Sequence, residues 1–95
     1  MLFTHGNSYV FTLALQDVDF TGTCQASYTL TQIQFNKTVT LDSAKDPTFS
    51  CGPGTIWFWD FVGKPTPDSP GLATLTGTVT YGTTEATVVS TVVIN

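Results

Sequence analysis

The sequence predicts an all-β domain, an antiparallel β-sandwich of about six or seven short strands. Threonine, valine and aromatic residues dominate, whereas residues that build helices, such as glutamate, lysine and arginine, are scarce. Apolar and polar residues alternate along several stretches, which turn-forming residues separate. At 95 residues the chain is long enough for one domain, residues 1–95, with a single hydrophobic core.

The first two strands are predicted from clean alternation. Residues 8–16 form the first strand, in which Tyr9, Phe11, Leu13 and Leu15 share one face. After a turn at 17–22, the second strand covers residues 23–33, with an inward face of Cys24, Ala26, Tyr28 and Leu30. Near Gln32 the apolar phase shifts, which predicts a bulge or bend; the new apolar set is Ile33, Phe35, Val39 and Leu41.

The remaining elements follow from composition and turn signals. Residues 38–41 form a short third strand, and 42–47 a polar loop. The most apolar strand, 55–62, lies between a Gly-Pro-Gly interruption and a proline-rich loop at 63–71. A closing hairpin pairs residues 72–81 with 85–94. The first arm has a row of outward-facing threonines, which we interpret as ordinary solvent-facing strand residues. They are Thr74, Thr76, Thr78 and Thr80.

The two cysteines of the chain, Cys24 and Cys51, predict a disulfide. On the chain-entropy model, a bridge closing a loop of this size stabilises the fold by about 3–4 kcal/mol. The alternative is a pair of reduced cysteines that pack as small apolar residues. A disulfide favours a secreted or cell-surface protein, either as it stands or as one domain of a longer secreted chain.

The charge balance argues against several classes of partner. Three lysines, no arginine and a net charge of −4 offer little to phosphate groups, so we expect no nucleic-acid partner. No apolar run reaches the length of a membrane-spanning helix, so we expect no membrane insertion.

Catalytic and metal-binding patterns are weak. His5 is the single histidine, lies near the terminus, and has no neighbouring pattern of a nucleophile and an acid. The aspartates of the predicted loops favour turn formation over calcium binding; they are Asp17, Asp19, Asp42 and Asp46. We therefore expect no enzyme activity, no catalytic residue, no cofactor and no metal site.

Two short segments resemble the immunoglobulin-like fold. The segment TCQAS at residues 23–27 is similar to that family's strand with its first cysteine. The segment TIW at 55–57, followed by GKP at 63–65, is similar to its strand with the core tryptophan. The resemblance implies an immunoglobulin-like β-sandwich. The family's inter-sheet disulfide is not implied, because Cys51 precedes Trp57.

The strand at 55–62 supplies the candidate binding site. Its side chains alternate in direction, so Trp57, Trp59 and Phe61 share one face and Ile56, Phe58 and Val62 share the other. A strand in a two-sheet sandwich has only one core face, so one of these rows is either exposed or covered by another part of the chain.

From this strand we expect a partner-binding surface of Trp57, Trp59 and Phe61, with Tyr81 beside it. The leading hypothesis is a secreted or cell-surface, non-catalytic module for protein interaction or structural support, with a protein partner or self-association. The alternative is a carbohydrate-binding module that stacks sugar rings on an exposed tryptophan platform.

Overall fold

A computed structural model shows two β-sheets that face each other across one core. It describes residues 1–18, 21–52, 54–63 and 68–95, and it describes residues 15–18 and 54–59 by their backbone only. The strands in these ranges are β1 (Leu2–Phe3), β2 (Val10–Val18), β3 (Gly22–Gln34), β4 (Lys37–Lys45), β5 (Phe49–Cys51), β6 (Gly54–Val62), β7 (Gly71–Tyr81) and β8 (Thr84–Ile94).

The larger sheet has the order β1-β8-β7-β3-β4, and β5 also pairs with β3. The smaller sheet is a ribbon of β2 and β6. Among the described strands, only β1 runs parallel to its neighbour, so the larger sheet is mixed. The all-β prediction is confirmed. The two-residue β1 escaped prediction, because its pairing depends on a contact with the far end of the chain.

The closing hairpin forms as predicted. The register of β7 and β8 is unbroken from Gly71 opposite Ile94 to Tyr81 opposite Thr84. Gly82 has a φ of 59°, a conformation that suits glycine in a tight hairpin turn. The alternation of side chains turns apolar residues of both arms into the core; those buried are Ala73, Leu75, Val79, Val92 and Ile94.

The hairpin of β3 and β4 differs from the prediction near Gln32. The inward phase of β3 continues, so Gln32 is buried and Ile33 is exposed. The bulge lies in β4 instead. Leu30 faces Asp42 and Thr31 faces Thr40, which makes Leu41 the extra residue. Strand β4 also extends to Lys45, through part of the predicted loop.

The predicted disulfide between Cys24 and Cys51 is present. It joins β3 to β5, which are neighbours in the same sheet, with Cys24 directly opposite Phe49. Both cysteines are buried. The bridge therefore anchors β5 at the end of β3 rather than linking the two sheets.

The ribbon packs closely on the larger sheet through aromatic rings. The ring of Phe11 lies 4.9 Å from Tyr28 and 5.2 Å from Phe61, measured between centroids. Gly77 permits this approach, because a Cβ there would lie 2.9 Å from Cδ1 of Leu13. We call the face of the larger sheet that points away from the ribbon the outer face.

Candidate functional site

The predicted site on β6 is only partly described. The backbones of Trp57 and Trp59 pair with Leu15 and Leu13 of β2, and the side chains of both tryptophans lie outside the described residues. Phe61 is buried, with 4% of its surface exposed. Its ring packs between Phe11 and Tyr28, so Phe61 serves the core and not the expected binding surface.

Tyr81, the fourth residue of the predicted site, is on β7 and lies opposite Cys24 of β3. Its side chain is half-buried and packs against the core. Phe61 and Tyr81 thus lend no exposed ring to a flat stacking platform, the geometry that carbohydrate binding requires.

A different apolar surface lies at one end of the outer face of the larger sheet. Leu2 of β1 faces Val93 of β8, and Val93 faces Leu72 of β7. Leu72 and Ile33 of β3 line one shallow cleft. The exposed fractions of these side chains are 64% for Leu2, 44% for Val93, 67% for Leu72 and 76% for Ile33. We call these four residues the apolar row.

Phe35 lies at the tip of the β3–β4 hairpin, two positions beyond Ile33. Gln34 pairs with Lys37, so Phe35 and Asn36 form a two-residue turn, with φ of 52° and 64°. Such turns favour Asn and Gly, because both central residues need a positive φ. A bulky residue there is strained, yet Phe35 is 99% exposed and gains no burial in return.

Next to the apolar row, the outer face carries threonines of three neighbouring strands and β8. Thr31 faces both Thr74 and Thr40 across the sheet, and Thr74 faces Thr91. The predicted outward orientation of Thr74, Thr76, Thr78 and Thr80 is confirmed. The apolar row therefore lies next to a group of threonine hydroxyl groups, which resembles the polar rim of a protein interface.

A buried polar cluster occupies the core between the sheets. The hydroxyl groups of Tyr9 and Tyr28 both donate to Oδ2 of Asp42, over 2.6 Å and 3.0 Å. Burial raises the pKa of both tyrosines, and the hydrogen bond to the Asp42 carboxylate and its charge raise it further. The cluster ties β3, β4 and the segment before β2 together, so its role is structural.

The structure describes the side chains of two of the four loop aspartates, Asp42 and Asp46. Asp42 is buried against tyrosines, while the side chain of Asp17 and the whole of Asp19 lie outside the described residues. Within the part of the chain that the structure describes, no group of three or more His, Cys, Asp or Glu residues could hold a metal ion. His5 contacts the carbonyl of Asn95 and lies 3.8 Å from a carboxylate oxygen of Asp68.

Sequence reasoning missed the apolar row, although a signal was available. Ile33 ends the outward series of β3 that otherwise contains threonine, serine and glutamine. Leu72 begins the outward series of β7 that otherwise contains threonine. An apolar residue in each of two polar series marks a candidate contact once the strands are known to be neighbours.

Comparisons with known proteins give no information on the function. No family model matches the sequence, and neither the curated proteins nor the solved structures contain a match. Within the described ranges, no helix is long and apolar enough to cross a membrane.

Proposed function

We propose that this chain is a non-catalytic β-sandwich module, exported from the cytoplasm, that binds a partner protein through the apolar row and Phe35. The observation that carries the proposal is the conformation of Phe35. Its backbone is strained and its ring is fully exposed, so the residue does not serve the stability of the isolated fold. A partner that buries the ring accounts for its presence.

The chemistry of the surface defines the partner we propose. Large aliphatic and aromatic side chains next to neutral hydroxyl groups match an apolar partner surface with a neutral hydrogen-bonding rim. No charged residue belongs to the apolar row, so charge steering contributes little to the association. Binding should therefore change little with ionic strength.

The Cys24–Cys51 disulfide supports the proposed location. Disulfides persist in oxidising compartments and are rare in the reducing cytosol. A small module with such a disulfide suits the cell exterior or another extracytoplasmic space.

The test is quantitative affinity capture from the extracytoplasmic fraction of the source cells, with immobilised wild-type protein and two variants. The double variant Ile33→Thr with Leu72→Thr removes the centre of the apolar row. The control, Thr76→Ala with Thr78→Ala, changes two residues of the same outer face. We expect a bound protein that the control retains and the row variant loses by at least about tenfold, because truncated hot-spot residues each cost more than about 1 kcal/mol. Equal capture by both variants would refute the proposal.

A further inference from the structure

Among the described residues, no strand pairs with most of one edge of the larger sheet, which we call the open edge. Strand β1 pairs with β8 only at Val93 and Ile94. No other strand among the described residues pairs with this edge, which leaves Thr84 to Val92 uncovered. Two valines lie in the middle of the uncovered stretch: Val88 is 47% exposed and Val89 is 63% exposed.

The direction of the backbone groups along this edge follows from the bonds to β1. The N–H groups of Val93 and Asn95 donate to the carbonyl groups of Met1 and Phe3, so both point toward the open edge. The register of β8 with β7 has no bulge, so this direction recurs at every second residue. The N–H and C=O groups of Thr91, Val89, Thr87 and Glu85 therefore point toward the open edge.

The opposite edge of the sheet carries features that discourage strand pairing. Strand β4 has a bulge at Leu41 and begins and ends with Lys37 and Lys45. Bulges and lysines are the usual means by which natural sheets protect an edge. The open part of β8 has no lysine, no proline and no bulge, and its one charge is Glu85.

We infer that two copies of this chain pair along β8, antiparallel and related by a two-fold axis, with Val88 of one copy opposite Val88 of the other. This pairing uses residues 85–91 of β8, whereas the apolar row includes Val93 at the end of β8, so the two surfaces are adjacent but use different residues. The pairing joins the two larger sheets into one continuous sheet.

The register is fixed by the length of the open edge. With Val88 at the axis, Thr87 faces Val89 of the second copy and Glu85 faces Thr91, so all outward backbone groups of both strands are paired. Moving the axis to Val89 would place Glu85 opposite Val93, which β1 already occupies. Moving it to Thr87 would place Thr91 opposite the turn that precedes β8.

The side chains suit the same register. Residues at the axis form a non-hydrogen-bonded pair, whose Cα atoms lie about 4.5 Å apart and whose side chains are in close contact. The two half-exposed valines then bury each other. Glu85 faces a threonine, so no like charges meet across the interface.

Cysteine cross-linking tests the register directly. Val88→Cys places two thiols within the range of a disulfide, whose Cα atoms lie roughly 4.4–6.8 Å apart. Thr87→Cys and Val89→Cys are matched controls on exposed neighbours, because each is offset from its own copy by two rungs in the proposed dimer. Under mild oxidation, we expect V88C to form a covalent dimer at least tenfold faster than T87C or V89C. Equal rates for the three variants would overturn the inference.

Sedimentation equilibrium of the unmodified protein gives an independent reading. We expect the mass to rise with concentration from 10.2 kDa toward twice that value. Val88→Lys should abolish the rise by placing like charges face to face, whereas Thr80→Lys, which adds the same charge on β7, should keep it. A wild-type mass that stays at the monomer value would contradict the inference. The row variant Ile33→Thr with Leu72→Thr should still dimerise, so failure of the edge and failure of the partner surface are distinguishable.

Discussion

Leu72 of β7 lies directly opposite Val93 of β8, and both side chains are exposed on the outer face of the larger sheet. An apolar cross-strand pair usually lies on the core side of a sheet, where both side chains are buried. Here the core lies on the other side, where Ala73 and Val92 are buried. The apolar row is therefore a surface feature, and its conservative replacement should cost the fold little.

The turn residue Phe35 should lower the stability of the isolated protein. Asparagine tolerates the positive φ of this turn better than phenylalanine, and the substitution removes no buried contact, so we expect the free energy of unfolding to rise by roughly 0.5–1 kcal/mol. The matched control is Asn36→Ala, which should lower stability because alanine tolerates a positive φ less well. Urea unfolding with the disulfide intact measures both. A loss of stability in F35N would mean that the ring supports the fold.

Gly63 should be among the least replaceable residues. A Cβ at this position would overlap the buried ring of Tyr9, and the Gly63 N–H donates to the Tyr9 carbonyl over 2.6 Å. We expect Gly63→Ala to destabilise the protein by about 3 kcal/mol, at the upper end of overpacking costs. Gly52→Ala is the control, because no atom lies within 4 Å of its new Cβ. Similar melting temperatures for the two variants would refute this account of the packing.

The buried tyrosines should make the protein sensitive to alkaline pH. The folded state raises the pKa of Tyr9 and Tyr28 above the ordinary 10.0, so above that pH the unfolded chain releases phenol protons first. Stability is complete below about pH 10 and falls above it, by up to about 1.4 kcal/mol per pH unit for each tyrosine.

Tyr9→Phe distinguishes the contribution of the Tyr9 hydrogen bond from the loss of stability that the ionisation of Tyr9 causes at high pH. At neutral pH it should lose roughly 1.5–3 kcal/mol, because a hydrogen bond to a carboxylate is removed. Above pH 10 its stability should fall less steeply than that of the wild type. Denaturant unfolding at a series of pH values supplies the comparison, and parallel pH profiles would contradict the assignment.

Reduction of the Cys24–Cys51 disulfide should destabilise the fold by about 3–4 kcal/mol, as expected for a loop of 27 residues. The double variant Cys24→Ala with Cys51→Ala should match the reduced wild type to within about 1 kcal/mol, apart from its small cavity cost. Unfolding curves with and without reductant test this. An unchanged midpoint after reduction would show that the bridge does not constrain the unfolded chain.

Alternation predicted the strands because it is a local property, visible in each segment by itself. The disulfide was predictable because two cysteines allow one pairing. The position of Asp42 was not, since its tyrosine partners lie 33 and 14 positions away in the chain. Phe61 was assigned to a surface because β6 is apolar on both faces, and a pattern without contrast cannot choose the inward one. Ile33 is exposed because the alternation of inward and outward side chains in β3 continues past Gln32. The sequence did not predict this, because the inward residue at position 32 is a polar glutamine.

Site-specific photo-cross-linking in the source cells tests whether the apolar row binds a partner protein. A photoreactive amino acid at Leu72, in the apolar row, is compared with the same amino acid at Thr78, on the same strand and the same outer face. We expect a discrete cross-linked protein from position 72, absent from position 78 and lost when Phe35→Asn and Ile33→Thr are added. Identical products from both positions, or no product from position 72, would show that the apolar row is not a binding surface.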